Sequence, residues 1–195
     1  MEWLLVLGVI ALLAVTVVFF YNRLVRGRNA FKNAFAQIDV QLKRRHDLIP
    51  NLVDTVKGYA SHERETLTAV IEARNTAESA REQASGAAGD AESMARLSQA
   101  EGSLGGVLGR LFALSEAYPD LKANQNFQQL QEELTSTENR VAYARQAYND
   151  SAMRYNNLVE TVPSNFVAAA FGFTRAAMLE FEDREALKEP PKVSF

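Results

Sequence analysis

The chain is 195 residues long, has no cysteine and two histidines, and carries a formal net charge of −3 with a pI near 5.5. This length suits one domain with a small additional segment, and the lack of cysteine excludes a disulfide framework, a thiolate metal site and a cysteine nucleophile. The weak negative charge argues against a nucleic-acid-binding surface, so we expect no nucleic-acid partner.

The first predicted element is a membrane-spanning helix. The nineteen residues from Trp3 to Tyr21 carry no charge, and as an α-helix they would extend about 28 Å, close to the ~30 Å hydrocarbon core of a bilayer. A cleaved secretory signal is the alternative, but only Met1 and Glu2 precede the apolar run, which leaves no basic amino-terminal region. We therefore predict a single-pass anchor over residues 1–22, in contact with the bilayer through residues 3–21.

Interfacial residues are predicted at both ends of this anchor. Trp3 and Tyr21 stand where aromatic side chains border the headgroups, and the nearby positive charges, Arg23, Arg26 and Arg28, all follow the apolar run. Positive charge is retained on the cytoplasmic side of membranes. The pattern therefore predicts an outside amino terminus and a cytoplasmic carboxy-terminal domain.

Beyond residue 22 the sequence predicts long helices. The first carries apolar side chains at three-, four- and seven-residue spacings, and the pattern drifts on to about residue 84. We therefore predict one helix of more than fifty residues that ends before the flexible stretch at 85–90. The sequence leaves open whether this helix is continuous with the membrane span. The stripe consists of Phe31, Phe35, Ile38, Leu42, Ile49, Leu52, Val56 and Tyr59.

Pro50 lies inside this predicted helix. A proline there removes the hydrogen bond to the carbonyl four residues back, which is that of His46, so this carbonyl needs another donor. The apolar stripe keeps its phase from Leu42 to Leu52. We therefore predict a kinked but continuous helix.

The residues beside the proline are the candidate functional residues: Arg45, His46, Asp47, Pro50 and Asn51. A catalytic His46 would need an orienting carboxylate, but Asp47 points about 100° away from it on a helix. Neither histidine follows a glutamate by three positions, as helical di-metal sites require, and no Gly-x-Ser-x-Gly turn is present. We predict no catalytic, cofactor or metal site and assign these five residues to a helix kink or a protein contact. Because Arg45 lies on the apolar stripe, we expect it to pair with a carboxylate; the candidates are Glu132, Glu133 and Glu138.

A second helix is predicted from about Ala91 to Tyr118. Its glycine-rich stretch, residues 102–109, lacks the Gly-Lys-Ser/Thr ending and the preceding strand of a phosphate-binding loop. We expect these glycines to permit close approach of another helix or to weaken their own.

The third long helix has the most regular period and ends at Pro163. Its stripe is Phe127, Leu130, Leu134, Thr137, Val141, Ala144, Tyr148, Ser151, Tyr155, Leu158 and Val162. The tyrosines of this stripe are expected in the core, and the glutamines near its start form a polar face that is either solvated or used for lateral association. A short apolar helix ending at Gly172 follows, and we expect it to cover the end of the bundle and not to lie on a bilayer, because it has no basic face. Residues 173–195 are predicted to be an irregular tail.

Long helices with short connections pack antiparallel. The predicted fold class is all-α: an amino-terminal transmembrane helix followed, over residues 23–172, by an elongated antiparallel bundle of long, coiled-coil-like helices.

Three stretches resemble the LemA family of bacterial membrane-anchored proteins: residues 21–63, which include IDVQLKRRHDLIPNLV, residues 117–156, which include YPDLKANQNFQQLQ, and the closing PPKVSF. The resemblance covers nearly the whole chain. It implies location in the bacterial inner membrane, one transmembrane helix, an outside amino terminus and a cytoplasmic helical domain. It implies no catalytic residue and no cofactor. Some members are encoded near membrane zinc proteases, which makes such a protease a conceivable partner.

Two hypotheses for function follow. The first is a non-enzymatic, membrane-tethered scaffold that forms homo-oligomers through its long helices. The alternative is an adaptor or regulator of another membrane protein, such as a membrane zinc protease, that docks at residues 45–51. An enzymatic function would require bound metal or turnover that depends on His46 or His62.

Overall fold

The computed structural model describes residues 1–180, and this part of the chain contains six α-helices and no strand. The predicted all-α bundle is therefore confirmed. The helices are α1 Glu2–Lys57, α2 Arg64–Gly86, α3 Ala91–Ser115, α4 Pro119–Lys122, α5 Gln125–Glu160 and α6 Ser164–Ala170. The second half of α1 packs antiparallel against α5, and the α2–α3 hairpin packs on α1 through α2. Side chains of α1, α2, α3 and α5 together enclose the core.

Helix α1 carries the apolar run and the first wall of the bundle without a break, which answers the question of continuity. Its 56 residues extend about 84 Å at 1.5 Å per residue. The first buried side chain is Leu24, and the window of α1 that is apolar enough to cross a membrane contains no buried residue. Within residues 1–180 this is the one helix with that length and composition. The apolar run therefore projects from the bundle as an extension of a core helix.

The prediction of one helix continuing to residue 84 is wrong. Helix α1 ends at Lys57, the chain turns through Gly58, and α2 starts at Arg64. The N–H of Ala60 donates to the Val56 carbonyl at 2.8 Å, and the Ala60 side chain is buried, so the turn is packed against the core. Both helices carry apolar stripes, and Tyr59 and Ala60 in the turn continue the apolar pattern between them. The sequence period therefore continued across a reversal of the chain.

The two predicted apolar stripes form the main helix interface. Phe31 and Phe35 of α1 meet Tyr148 and Tyr155 of α5, with ring centroids 5.0 Å apart for Phe31–Tyr155 and 5.7 Å apart for Phe35–Tyr148. The prediction that both tyrosines lie in the core is confirmed. The carboxy-terminal members of the stripes differ: Tyr59 and Val162 lie beyond their helices and are exposed.

The α3 glycines have a different role from the one predicted. Helix α3 is continuous through them, and a Cβ atom at Gly102, Gly106 or Gly109 would meet no atom within 4 Å. Close helix approach occurs instead at Gly27 of α1, where a Cβ would lie 3.2 Å from the Tyr155 ring. The glycines of α3 therefore leave open space beside the helix.

Residues 173–180 have no regular secondary structure, yet they are fixed to α5 by a pair of asparagines that we call the asparagine clamp, Asn149 and Asn156. The Asn156 amide donates to the Ala176 carbonyl at 2.9 Å and accepts from its N–H at 2.8 Å. Asn149 makes the same two bonds with Leu179, at 3.0 and 2.9 Å. The predicted irregular tail is thus a bound segment over its first eight residues, while residues 181–195 lie outside the described part.

Candidate functional site

Three helices place a charged residue inside their apolar stripes. Arg45 replaces an apolar residue between Leu42 and Ile49 in α1, and Glu101 does so between Leu97 and Leu104 in α3. Arg81 lies among the buried alanines of α2. Because the stripes face one interior, these residues meet in the core. With their neighbours they form what we call the ionic cluster: Arg45, His46, Glu78, Arg81 and Glu101.

His46 stands at the centre of the ionic cluster and is completely buried. Its Nδ1 lies 2.6 Å from Glu78 Oε2, and its Nε2 lies 2.8 Å from Glu101 Oε1. The second oxygen of Glu101 accepts from Arg45 Nη1 at 3.2 Å. Glu78 accepts from Arg81 Nε and Nη2 at 3.2 and 2.9 Å. The cluster is therefore a continuous chain of charge-assisted hydrogen bonds from α1 through α2 and α3.

Two further carboxylates close the ends of this chain. Arg81 also donates to Asp39 of α1, and Arg45 Nη2 lies 3.7 Å from Glu138 of α5. One of the three predicted partners of Arg45 is thus found, while Glu133 pairs with Arg44 instead, at 3.8 Å. All four core helices contribute to the layer.

The hydrogen bonds determine where protons lie. The Arg81 hydrogen bond, with a smaller contribution from His46, lowers the pKa of Glu78 to about 2, so this carboxyl is ionised at neutral pH. His46 Nδ1 must then donate to Glu78, and the Nε2–Glu101 contact needs a proton as well. Each guanidinium of the cluster faces carboxylates: Arg45 contacts Glu101 and Glu138, and Arg81 contacts Glu78 and Asp39. Charge balance of this kind is what allows ionised groups to be buried.

This arrangement leaves His46 without a free ring nitrogen, because both nitrogens bind carboxylates inside the bundle. Asp47 does not reach it and pairs with Lys43 at 3.3 Å on the surface, which confirms the geometric argument that it cannot orient His46. Across residues 1–180, no group of three or more His, Asp or Glu side chains is placed to hold a metal ion.

Pro50 is accommodated by a neighbouring helix. Arg74 of α2 donates its Nε–H to the carbonyl of His46 at 3.3 Å, which supplies the donor that the proline removes. Helix α1 is continuous through Pro50, as predicted. The candidate residues therefore divide: Arg45 and His46 lie inside the bundle, whereas Asp47, Pro50 and Asn51 remain on its surface.

A groove between α3 and α5 brings solvent close to one side of the ionic cluster. It has a volume of about 420 Å³, and Arg45 and Glu101 form part of its wall. The open space comes from Gly102, Gly105 and Gly106, which present no side chain to α5.

Four of the five predicted membrane-interface residues, Tyr21, Arg23, Arg26 and Arg28, lie where the apolar run joins the bundle, and Trp3 lies at the far end of the run. The Tyr21 ring packs against Phe171 at 5.0 Å and Phe173 at 5.7 Å between centroids. The guanidinium of Arg28 stands 5.1 Å from the centre of the Phe173 ring. Arg23 and Arg26 are exposed on the same helix, and Trp3 is exposed near its start.

Sequence reasoning missed Glu78, Arg81 and Glu101. A signal for the last two was present, because each interrupts an apolar stripe, as Arg45 does. Glu78 had no such signal, since it lies at the border of the stripe and its side chain is 20% exposed.

Comparison with known proteins supplies relatives for this fold. The sequence model described as the LemA family matches residues 34–195. The magnetosome proteins MamQ 1 and MamQ 2 of Paramagnetospirillum magneticum are each 30% identical over 200 residues, which cover 95% of this chain and 72% of each relative. Protein LemA of Metamycoplasma hominis is 28% identical over 164 residues, covering 84% of this chain and 70% of that protein.

Proposed function

The chain belongs to the LemA family, and we propose that it is a non-enzymatic scaffold, anchored in the bacterial inner membrane by α1, whose cytoplasmic bundle self-associates. The observation that carries this proposal is the form of α1. One uninterrupted helix joins an apolar run that contains no buried residue to the core of the bundle, so the bundle is fixed directly to the anchor.

The interior supports a structural role. The ionisable groups buried in the core are bound to one another, and the histidine that would be the natural general base has both nitrogens occupied. A catalytic group must be able to reach its substrate. In the described residues, the polar interior therefore serves to join helices.

Self-association must use a surface that the bundle leaves free. The apolar stripes do not provide one, because they are buried within a single chain. Helix α5 instead presents an outward polar face with a single charged residue, Glu132. Amide and hydroxyl side chains of this kind can form hydrogen bonds to the same face of a second copy, and their donors can bind the Glu132 carboxylate. The face, which we call the α5 polar face, consists of Gln128, Gln131, Glu132, Thr135, Ser136 and Asn139.

The test is the mass of the full-length protein in detergent, measured by multi-angle light scattering at micromolar concentration. We expect an oligomer. Introducing carboxylates with Gln131→Glu and Asn139→Glu should reduce it to a monomer, because like charges would meet across the contact. The matched control is Gln99→Glu with Ser103→Glu, which adds the same charge to exposed positions of α3 and should leave the mass unchanged. A monomeric wild-type protein would refute the self-association.

A second candidate function is docking of another membrane protein, favoured by an exposed strip on α1. Asp47, Asn51 and Asp54 follow one another at helical spacing and remain uncovered by other helices. Because Asp47 is already paired with Lys43, a basic partner surface would bind this strip chiefly through Asn51 and Asp54. Asp47→Lys with Asp54→Lys should then abolish co-purification of the partner while the circular dichroism spectrum stays unchanged.

A further inference from the structure

An apolar patch is exposed at the end of the bundle nearest the apolar run. Val162, Phe166 and Phe171 are 73%, 69% and 55% exposed, and we call them the α6 patch. The opposite face of α6 is buried against the bundle through Val167 and Ala168. The predicted covering role of this helix is therefore fulfilled by one face, and the other face remains without a partner in the described chain.

The position of the α6 patch links it to the anchor. The Phe171 ring contacts Tyr21, the last residue of the apolar run, with centroids 5.0 Å apart. Helix α6 packs against α1 as well as α5. The patch thus continues the exposed apolar surface of α1 sideways, at the level where that surface ends.

The surrounding charges match a membrane surface. Residues 161–172 carry no charge, so α6 itself has no basic face. The lack of such a face was the reason for predicting that this helix does not lie on a bilayer. The structure supplies that face from elsewhere: Arg23 and Arg26 lie exposed just after Tyr21 on α1, whereas Arg175, which is 70% exposed, is paired with Glu160 at 2.7 Å. Apolar side chains flanked by arginines are the composition that binds at the headgroup boundary of anionic membranes.

We propose that the α6 patch inserts into the interfacial region of the same bilayer that α1 crosses. This inference rests on the proposed membrane anchoring, and it adds a second attachment that fixes the orientation of the bundle on the membrane. The covalent link through α1 keeps the patch beside the bilayer, so a few apolar side chains suffice for binding. A protein that covered the patch would have to occupy the space immediately beside the membrane span.

The test uses tryptophan fluorescence of the full-length protein in vesicles of phosphatidylethanolamine and phosphatidylglycerol. The single native tryptophan is removed by Trp3→Phe, and Phe166→Trp places a probe in the α6 patch. Part of the lipid is then replaced by lipid brominated near the headgroup end of its acyl chains, which quenches by contact. We expect the emission of the Phe166→Trp probe to fall by about half, as for a side chain at the headgroup–acyl boundary.

Two matched probes make the outcome decisive. Tyr143→Trp replaces an aromatic residue that is 75% exposed on α5. This position lies about 26 Å along the helix from its membrane end at Glu160, so the emission of this probe should not be quenched. Phe19→Trp lies in the apolar run and reports on the anchor itself. Quenching at position 19 without quenching at 166 would overturn the inference and leave the anchoring intact, including the case in which a protein covers the patch. No quenching at position 19 would overturn both.

Discussion

Glu101 contacts both the Arg45 guanidinium and the His46 ring inside the bundle, and its removal should be among the most damaging single changes. In Glu101→Gln the neutral amide leaves Arg45 without its buried carboxylate partner. Breaking a buried ion pair from one side typically costs about 3–5 kcal/mol, so we expect the free energy of unfolding to fall by about that amount. Chemical denaturation of the full-length protein in detergent, followed by circular dichroism, measures it.

The control is Asp47→Asn, which breaks the exposed pair with Lys43. That change should alter the free energy of unfolding by less than about 1 kcal/mol. A Glu101→Gln variant as stable as the control would show that the ionic cluster contributes little. Replacing Arg45, His46 and Glu101 together by Met, Leu and Leu should recover much of the loss, because the buried Arg45–Glu101 pair is removed as a whole and Glu78 keeps its hydrogen bonds to Arg81.

At the scale of single elements, the asparagine clamp should decide whether residues 173–180 stay on α5. The four bonds of the clamp go only to main-chain atoms, and the hydroxyl of Tyr148 adds a fifth bond, to the Ala177 carbonyl at 2.6 Å. Asn156→Ala removes both bonds to residue 176 and should release the segment locally while the helices persist. Hydrogen exchange should show faster exchange at the amides of Ala176 and Leu179.

The matched control for the clamp is the neighbouring Asn157→Ala, whose side chain is exposed. Its exchange pattern in residues 173–180 should equal that of the wild-type protein. If Asn156→Ala also leaves the pattern unchanged, apolar packing of Phe173 and Leu179 holds the segment without the clamp.

The limits of the helices show what sequence period can and cannot predict. The start of α5 was only partly predictable, because Asp120, Asn124 and Asn126 are all capable caps in the sequence. The structure uses Asn124, whose side chain accepts the N–H of Phe127 at 3.0 Å. The break between α1 and α2 was not predictable, because Gly58 is the only helix-breaking residue between the two consecutive apolar stripes. The bound segment 173–180 was equally hidden, since bonds from side chains to a partner main chain leave no periodic signal in the segment itself.

At the scale of the whole molecule, the all-α bundle followed from the stripes, whereas the composition of its interior did not. Arg45 was recognisable as a charged residue on an apolar stripe, yet its main partner came from α3, 56 residues away. Which carboxylates meet it depends on which helices lie side by side, and periodicity fixes faces without fixing neighbours. The close contact at Gly27 and the open groove at the α3 glycines likewise depend on which helices lie side by side, which the sequence period does not fix.

The polar layer also predicts how the whole bundle responds to acid. Its hydrogen bonds to Arg81 and His46 lower the pKa of Glu78 from 4.5 to about 2 in the folded protein. A depressed pKa gives stability that is fully present above the unfolded value and lost as pH falls toward the folded one. The contribution of Glu78 should therefore be complete above pH 4.5 and decline between about 4.5 and 2.

Glu78→Gln isolates this contribution, because the other carboxyl groups titrate in both proteins. The wild-type protein should be more stable than the variant at neutral pH. The difference between their free energies of unfolding, measured by denaturation at a series of pH values, should shrink as the pH is lowered through this range. A constant difference from neutral pH to pH of about 3 would mean that Glu78 binds its proton equally well in the folded and unfolded chains, and that the charge balance assigned to the ionic cluster is incorrect.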